Sequence, residues 1–330
     1  MLNPTAKLNP DLFDQPKLEM KPTRDGFGVG LVEAGKANVN VVGLTADLSE
    51  STRMEAFQKM FPERFIEMGV AEQNLATVAS GLANYGKIPF ITSYASFSPG
   101  RNWEQIRTTI ALNNVPVKVI GCHAGLTVGP DGATHQMLED IALMRSMPNM
   151  IVVVPADANE ANRATRAVAE NGKPSYLRLG REKTPVFTTD ATSFEIGKAI
   201  TVFENTSPDV GIIACGNMVY PAILAAQELG NEGINATVIN LHTIKPIDRD
   251  AIIAIAKSAG AIVTAEEHQI MGGMGSAVAE VLVEEFPVPV EFVGMRDAFG
   301  QSGKPDELMK FYKLDKEGIM VAARDAVRRK

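Results

Sequence analysis

The carboxylate at residue 72 is the group in this chain best placed to handle a proton. It sits in Gly69-Val70-Ala71-Glu72-Gln73-Asn74, after a strand-like run at 64–68 and at the head of a small-residue helix predicted over 72–84. Burial at such a junction disfavours the charged form of a carboxyl group, which suits it to hold or share a proton with a ring nitrogen. An acid at a helix start also complements the macrodipole, so position alone leaves both roles open. A second cluster lies in the run from Gly121 to Gln136, where His123 and His135 flank Asp131. This loop follows a predicted strand, and open α/β sheets bind ligands beyond the carboxyl ends of their strands. Two imidazoles around a carboxylate suit proton transfer and hydrogen bonding to hydroxyl groups.

Two arginines flank the same end of the predicted sheet. Arg24 stands where the first domain starts and Arg181 follows Tyr176-Leu177-Arg178-Leu179-Gly180, its last strand. Guanidinium forks match phosphate geometry, so a locally basic pocket in an acidic chain implies a phosphorylated small substrate. Aromatic residues make up only 6% of the chain, yet Tyr94, Phe97 and Trp103 fall close together. They either pack the core or offer a face to a planar heterocycle. The string Gly272-Gly273-Met274-Gly275-Ser276 opens a helix after a strand but lacks the spacing and the following acid of a dinucleotide fingerprint. It reads as a tight turn with close backbone packing.

The elements that must position these groups alternate with a clear rhythm. Apolar β-branched runs at 39–44, 88–92, 117–121, 151–154 and 176–179 predict buried strands, with helices at 72–84, 103–112 and 159–170 between them. Continuously apolar strands alternating with helices imply a parallel sheet covered on both faces. The rhythm breaks over 184–208 and resumes with strands at 210–214, 236–241, 261–265 and 290–293. The expectation is α/β, two doubly wound domains, at 23–190 and 191–330. Residues 1–22, rich in Pro and Lys, read as an extended N-terminal arm.

Bulk composition narrows the function classes. Lys plus Arg is 32 against 39 for Asp plus Glu, a net charge of −7 that argues against general nucleic-acid binding. No window approaches the roughly 18 uninterrupted apolar residues of a membrane span. The first 22 residues carry no apolar stretch of the signal-peptide kind. Cys122 and Cys215 fall in apolar runs and read as buried free thiols, which points to a soluble cytoplasmic protein. No spacing of ligand residues suggests a metal site.

Taken in order, these motifs resemble the C-terminal half of a transketolase: a pyrimidine-binding domain followed by the small C-terminal domain. The resemblance rests on Thr-Ala-Asp-Leu-Ser-Glu-Ser (45–51), Met-Gly-Val-Ala-Glu-Gln-Asn (68–74), Gly-Pro-Asp-Gly-Ala-Thr-His-Gln (129–136) and Pro-Ala-Asp (155–157). It continues through Leu-Arg-Leu-Gly-Arg (177–181), Ile-Lys-Pro-Ile-Asp (244–248) and Gly-Gly-Met-Gly-Ser (272–276). Transketolases hold the diphosphate and Mg²⁺ of thiamine diphosphate through a Gly-Asp-Gly motif in an N-terminal domain, and no Gly-Asp-Gly occurs here. The resemblance therefore implies one subunit of a split transketolase, working with an N-terminal transketolase subunit that carries that motif, in an α2β2 heterotetramer.

What the resemblance implies for the site can be taken residue by residue. Glu72 would hydrogen-bond N1′ of the cofactor's aminopyrimidine. Phe97, and with it Trp103, would stack on that ring. Arg24, Ser51, His123 and Arg181 would bind the substrate phosphate, while Asp131 and His135 would contact substrate hydroxyls and assist catalysis. The implied reaction moves a two-carbon ketol unit between sugar phosphates. The chain departs from the family pattern at Ser98-Pro99-Gly100, which shifts the aromatic spacing, and at Pro130, where many transketolases carry an acid. Other readings are a 1-deoxyxylulose-5-phosphate synthase-like chain, a 2-oxo acid dehydrogenase β-subunit, a split ketolase for an unusual sugar, and a non-catalytic module that has kept the fold.

Overall fold

The computed structural model describes residues 1–330. In chain order its strands are β1 (Met20–Lys21), β2 (Val41–Thr45), β3 (Phe65–Glu67), β4 (Ile88–Tyr94), β5 (Lys118–Cys122), β6 (Ile151–Val153), β7 (Ser175–Arg178) and β8 (Thr184–Pro185). There follow β9 (Ile200–Phe203), β10 (Val210–Ala214), β11 (Ala236–Asn240), β12 (Thr243–Lys245), β13 (Ile262–Gln269) and β14 (Val290–Met295). A seven-stranded sheet has the order β12-β6-β7-β5-β4-β2-β3, and a five-stranded sheet the order β14-β13-β10-β11-β9. Pairing is parallel throughout the first sheet from β6 to β3. It is parallel from β14 to β11 in the second. Every residue of β2, β5 and β7 is buried, as expected of strands with helices over both faces.

Three features differ from the expectation. Both sheets carry an antiparallel edge that the sequence pattern did not reveal: β9 beside β11 and β12 beside β6. The helix expected over 103–112 starts as one α-turn, Trp103–Gln105, and continues as a π-helix over Ile106–Ala111. The first 22 residues are a packed segment rather than a plain extended arm. They form 3₁₀ turns at Pro4–Ala6 and Gln15–Lys17, bury Leu12 and Leu18, and pair β1 with β8.

The core runs between the two sheets. One apolar cluster joins Val152 and Val154 beside the first sheet to Ile213, Leu241 and Ile244 of the second half. Strand β12 adds hydrogen-bonded edge pairing across the same boundary. Five of the candidate residues follow the carboxyl ends of parallel strands: Ser51 after β2, Glu72 after β3, Phe97 after β4, His123 after β5 and Arg181 after β7, whereas Arg24 opens the helix Thr23–Ala37.

Candidate active site

Glu72 opens the helix Glu72–Asn84, whose N-cap Ala71 supplies no side-chain cap. Its carboxylate is 1% exposed. Oε1 accepts a hydrogen bond from Ser93 Oγ at 3.0 Å, and Oε2 accepts one from Arg101 Nη1 at 2.6 Å. Asn102 Nδ2 donates to the Glu72 carbonyl at 2.9 Å, tying the helix start to the loop after β4. The carboxylate is not held by its helix and Ser93 alone, because Arg101 sets a cation directly against it. Arg101 was not among the residues the sequence singled out. Its guanidinium also lies 4.8 Å from the centre of the Phe97 ring. The available signal was a cation set within the aromatic run 94–103.

Arg24 lies in the first turn of the helix Thr23–Ala37. Its Nη1 donates to the Ser51 carbonyl at 2.7 Å and lies 3.2 Å from His123 Nε2. Because a guanidinium only donates, Nε2 must accept and the ring proton belongs on Nδ1. That Nδ1 is buried with no partner in the protein, an unspent donor. Burial, followed by Arg24, Arg181 and Arg53, pushes the His123 imidazole down to about 3. At neutral pH His123 is thus an uncharged hydrogen-bond donor, which corrects the expectation of proton transfer at this residue. Its backbone takes the left-handed φ of 55°. Arg181 Nη1 donates to the Val128 carbonyl at 3.1 Å and to Asp131 Oδ2 at 3.3 Å, so the loop carboxylate and the strand-end cation meet. Arg24 and Arg181 line one cavity of about 350 Å³, together with Arg53 and Lys183. Ser51 and His123 do not line it; each contacts Arg24, which does.

Aromatic rings form a wall beside these groups. Tyr94 packs on His123 with ring centres 3.9 Å apart, and Phe97 meets His135 edge-on at 5.5 Å. The His135 ring places Nδ1 2.9 Å from Thr134 Oγ1. Trp103 is not part of the wall: its Nε1–H donates to the Leu143 carbonyl at 3.0 Å, and its ring packs against the core. Tyr94, noted in the sequence as part of the aromatic run, is the ring that joins Phe97 to His123.

The loop carrying His123 and Asp131 is held from the second half of the chain. Glu267 Oε1 accepts the Thr127 amide at 2.6 Å. Gly125 has φ of 90°, and a Cβ there would fall 2.5 Å from the Glu267 carboxyl carbon, so no other residue fits without a shift. Buried Arg178 bonds Asp140 at 2.8 Å and the carbonyls of Met137 and Glu267 at 3.2 and 2.9 Å. The string at 272–276 wraps a buried acid: Met274 and Gly275 amides donate to Glu266 at 2.6 and 2.8 Å. Burial pushes that carboxyl up to about 7, against the pull of the two amides. Those glycines let the turn close on buried side chains, Glu266 at Gly273 and Thr264 and Phe292 at Gly275. Both cysteines are buried and free. No group of three or more His, Cys, Asp or Glu side chains is arranged to hold a metal ion, and no helix is long and apolar enough to cross a membrane.

Chemically, the site offers a buried carboxylate beside aromatic faces and, across His123, a cluster of guanidinium groups. The first suits a flat, nitrogen-containing heterocycle and the second an anion.

Residues 19–186 match the transketolase pyrimidine-binding domain family, and residues 197–319 match the transketolase C-terminal domain family. A putative transketolase C-terminal section of Methanocaldococcus jannaschii is 45% identical over 91% of this chain and 94% of that protein. A 6-deoxy-6-sulfo-D-fructose transketolase subunit of Clostridium sp. is 39% identical over 95% of this chain and 97% of its own length. One subunit of an apulose-4-phosphate transketolase of Phocaeicola vulgatus is 37% identical over 93% of this chain and 97% of that protein. Among solved structures, a split gene transketolase described as an inactive beta4 tetramer superimposes with a TM-score of 0.88. It is 46% identical, over 94% of this chain and 99% of that one.

Proposed function

The chain belongs to the transketolase family, and from that premise we propose that it is the C-terminal subunit of a heteromeric ketolase acting on anionic sugars. In this reading residues 23–190 are the pyrimidine-binding domain, 191–330 the C-terminal domain, and 1–22 a segment packed along both. The observation that carries the reading is the shared placement of buried Glu72 and the Arg24–His123–Arg181 cluster beyond the same strand ends. A non-catalytic module has no need of a buried carboxylate beside open guanidinium groups.

Transketolases use thiamine diphosphate with a divalent cation. The residues present fit the aminopyrimidine half: a carboxylate at depth, linked by Arg101 to the face of Phe97. The chemistry the cofactor supplies when bound is a carbon nucleophile and electron sink for cleaving the bond next to a ketose carbonyl. Glu72 would donate a proton to the pyrimidine ring nitrogen and take it back through Oε2, with Ser93 fixing the other oxygen. Phe97 would stack on the ring and Arg24 and Arg181 would bind the substrate's anionic tail. The Nδ1–H of His123 would complete that binding, with the Ser51 carbonyl holding Arg24 in place. Asp131 and His135 would contact sugar hydroxyls. The diphosphate, the Mg²⁺ and the remaining half of the site would come from a partner subunit bearing Gly-Asp-Gly, in an α2β2 assembly located in the cytoplasm.

The relatives named for a sulfonated ketose and for apulose 4-phosphate favour a specialised substrate over the ordinary pentose phosphates. The test is to mix the chain with its Gly-Asp-Gly partner, thiamine diphosphate and Mg²⁺, and follow ketol transfer from phosphorylated and sulfonated ketoses. Transfer that requires both subunits is expected. No transfer from any of these donors would overturn the reading.

A further inference from the structure

We propose that Arg53 is a specificity-determining residue of the anion cleft, selecting a dianionic phosphate monoester over a monoanionic sulfonate or an uncharged sugar tail. The inference deepens the function proposed above and rests on it.

Arg53 lines the same 350 Å³ cavity as Arg24, Arg181 and Lys183, with Asp25 and Glu182 as the acids of that lining. Its position is built rather than incidental. The backbone takes φ of 65°, in the left-handed region that a side-chain-bearing residue keeps only where its surroundings enforce it. Here the Arg53 amide bonds the Glu50 carbonyl at 3.1 Å. The neighbouring helix presents Gly28, where a Cβ would come within 2.8 Å of the Arg53 carbonyl and 2.9 Å of its Cβ. Gly28 therefore admits this turn, and Asp25 Oδ1 fixes Arg53 Nε at 2.6 Å.

The three guanidinium groups share one pattern of commitment. Arg53 spends Nε on Asp25 and Nη1 on the Glu50 carbonyl. Arg24 spends Nη1 on Ser51 and His123, and Arg181 spends Nη1 on Val128 and Asp131. In each, Nη2 bonds nothing in the protein. A fold that needed these arginines only as braces would use their forks fully, whereas a terminal phosphate, with three oxygens, can take one donor from each. Their mutual repulsion supports the same reading. Burial first, and then Arg53 and Arg181 against the partial relief from Cys122 and Asp25, holds the Arg24 guanidinium below its ordinary pKa. An anion relieves that repulsion in proportion to its charge, so a second negative charge is rewarded. Asp25 offsets part of the Arg53 charge and orients the remainder.

Two measurements with wild type, R53Q and R53K test the proposal. In the assembled enzyme, R53Q is expected to lower the kcat/KM preference for a phosphorylated over a 6-sulfonated ketose by about tenfold, with R53K restoring part of it. A preference unchanged in R53Q overturns the proposal. In the unmixed chain, inorganic phosphate titrated at pH 8 and followed by ³¹P NMR is expected to bind R53Q about tenfold more weakly than wild type. Equal phosphate binding in the two also overturns it. If no ketose is turned over, the functional reading fails, while the phosphate titration still decides the role of Arg53.

Discussion

Arg101 folds back over the Phe97 ring and sets Nη1 2.6 Å from Glu72 Oε2, capping the one buried carboxylate that could meet a heterocyclic nitrogen. The pair is asymmetric: the Glu72 side chain is 1% exposed and that of Arg101 is 47% exposed. The carboxylate is anchored by Ser93 and by its helix, while the cation can swing away into solvent. Ring nitrogen and guanidinium would compete for the same oxygen.

Replacing Glu72 by Gln keeps the shape and removes the group that gives and takes back a proton. Ketol transfer by the assembled enzyme is expected to fall by roughly 10²- to 10⁴-fold, the usual worth of a positioned acid–base group. Association with the partner, read by sedimentation, should persist. Turnover within tenfold of wild type would remove Glu72 from the chemistry.

Replacing Arg101 by Gln opens Oε2 without touching the carboxylate. A half-exposed ion pair is worth at most about 1 kcal/mol, so the apparent Kd for thiamine diphosphate in the two-subunit mixture should drop about two- to fivefold. Weaker binding instead would show that Arg101 holds Glu72 for the ring rather than competing with it. Equilibrium dialysis separates the two.

Arg181 joins the Val128 carbonyl and Asp131 at the mouth of the anion cleft. Arg181→Ala should raise KM for the anionic sugar about ten- to hundredfold, since hydrogen bonds to charged groups contribute about 1.5–3 kcal/mol. Uncharged ketoses used as poor substrates should show little change. An unaltered KM for the anionic sugar would remove Arg181 from the tail-binding role.

His242, which does not line the anion cleft, is pushed down to about 3, by burial first and then by Arg163, with Asp248 opposing. The unfolded chain takes a proton on this residue below about pH 6.5, whereas the folded chain resists until about 3. The neutral ring's contribution is therefore complete above 6.5 and is lost as pH falls through that window. At pH 4.5 the loss is roughly 1–3 kcal/mol. Tm measured at pH 7 and 4.5 should fall less in His242→Gln than in wild type. Glu160 and Glu266, both pushed up to about 7 chiefly by burial, work in the opposite sense but cancel between the two proteins. Equal falls would exclude the assignment.

The reach of the sequence followed the strength of its periodic signals. Two doubly wound sheets were legible because strands such as β2 in the first and β10 in the second are apolar at nearly every position, as burial on both faces demands. Glu72, His123, Asp131 and Arg181 were legible because each follows a strand's carboxyl end. Arg101 was not, because its contact depends on how the turn at Ser98–Gly100 aims a side chain 29 residues beyond its partner. Trp103 looked like a second stacking ring because aromatic spacing cannot tell a ring facing the cleft from one facing the core. Edge strands β9 and β12, of four and three residues, were too short to show alternation. Arg53 stayed hidden because its left-handed turn comes from Gly28 on another element.

Strand β12 belongs by chain order to the second half, yet it closes the exposed edge of β6 in the first sheet. The Val154 amide bonds the His242 carbonyl at 2.7 Å and the Gly216 amide bonds the Val154 carbonyl at 3.3 Å, extending that seam. The halves are therefore interlocked like a clasp. A first half expressed alone would present β6 as an unpaired edge, open to pairing with other chains. A chain nicked between β8 and β9 would keep its pieces together until denatured, so the molecule loses its parts only by melting as one.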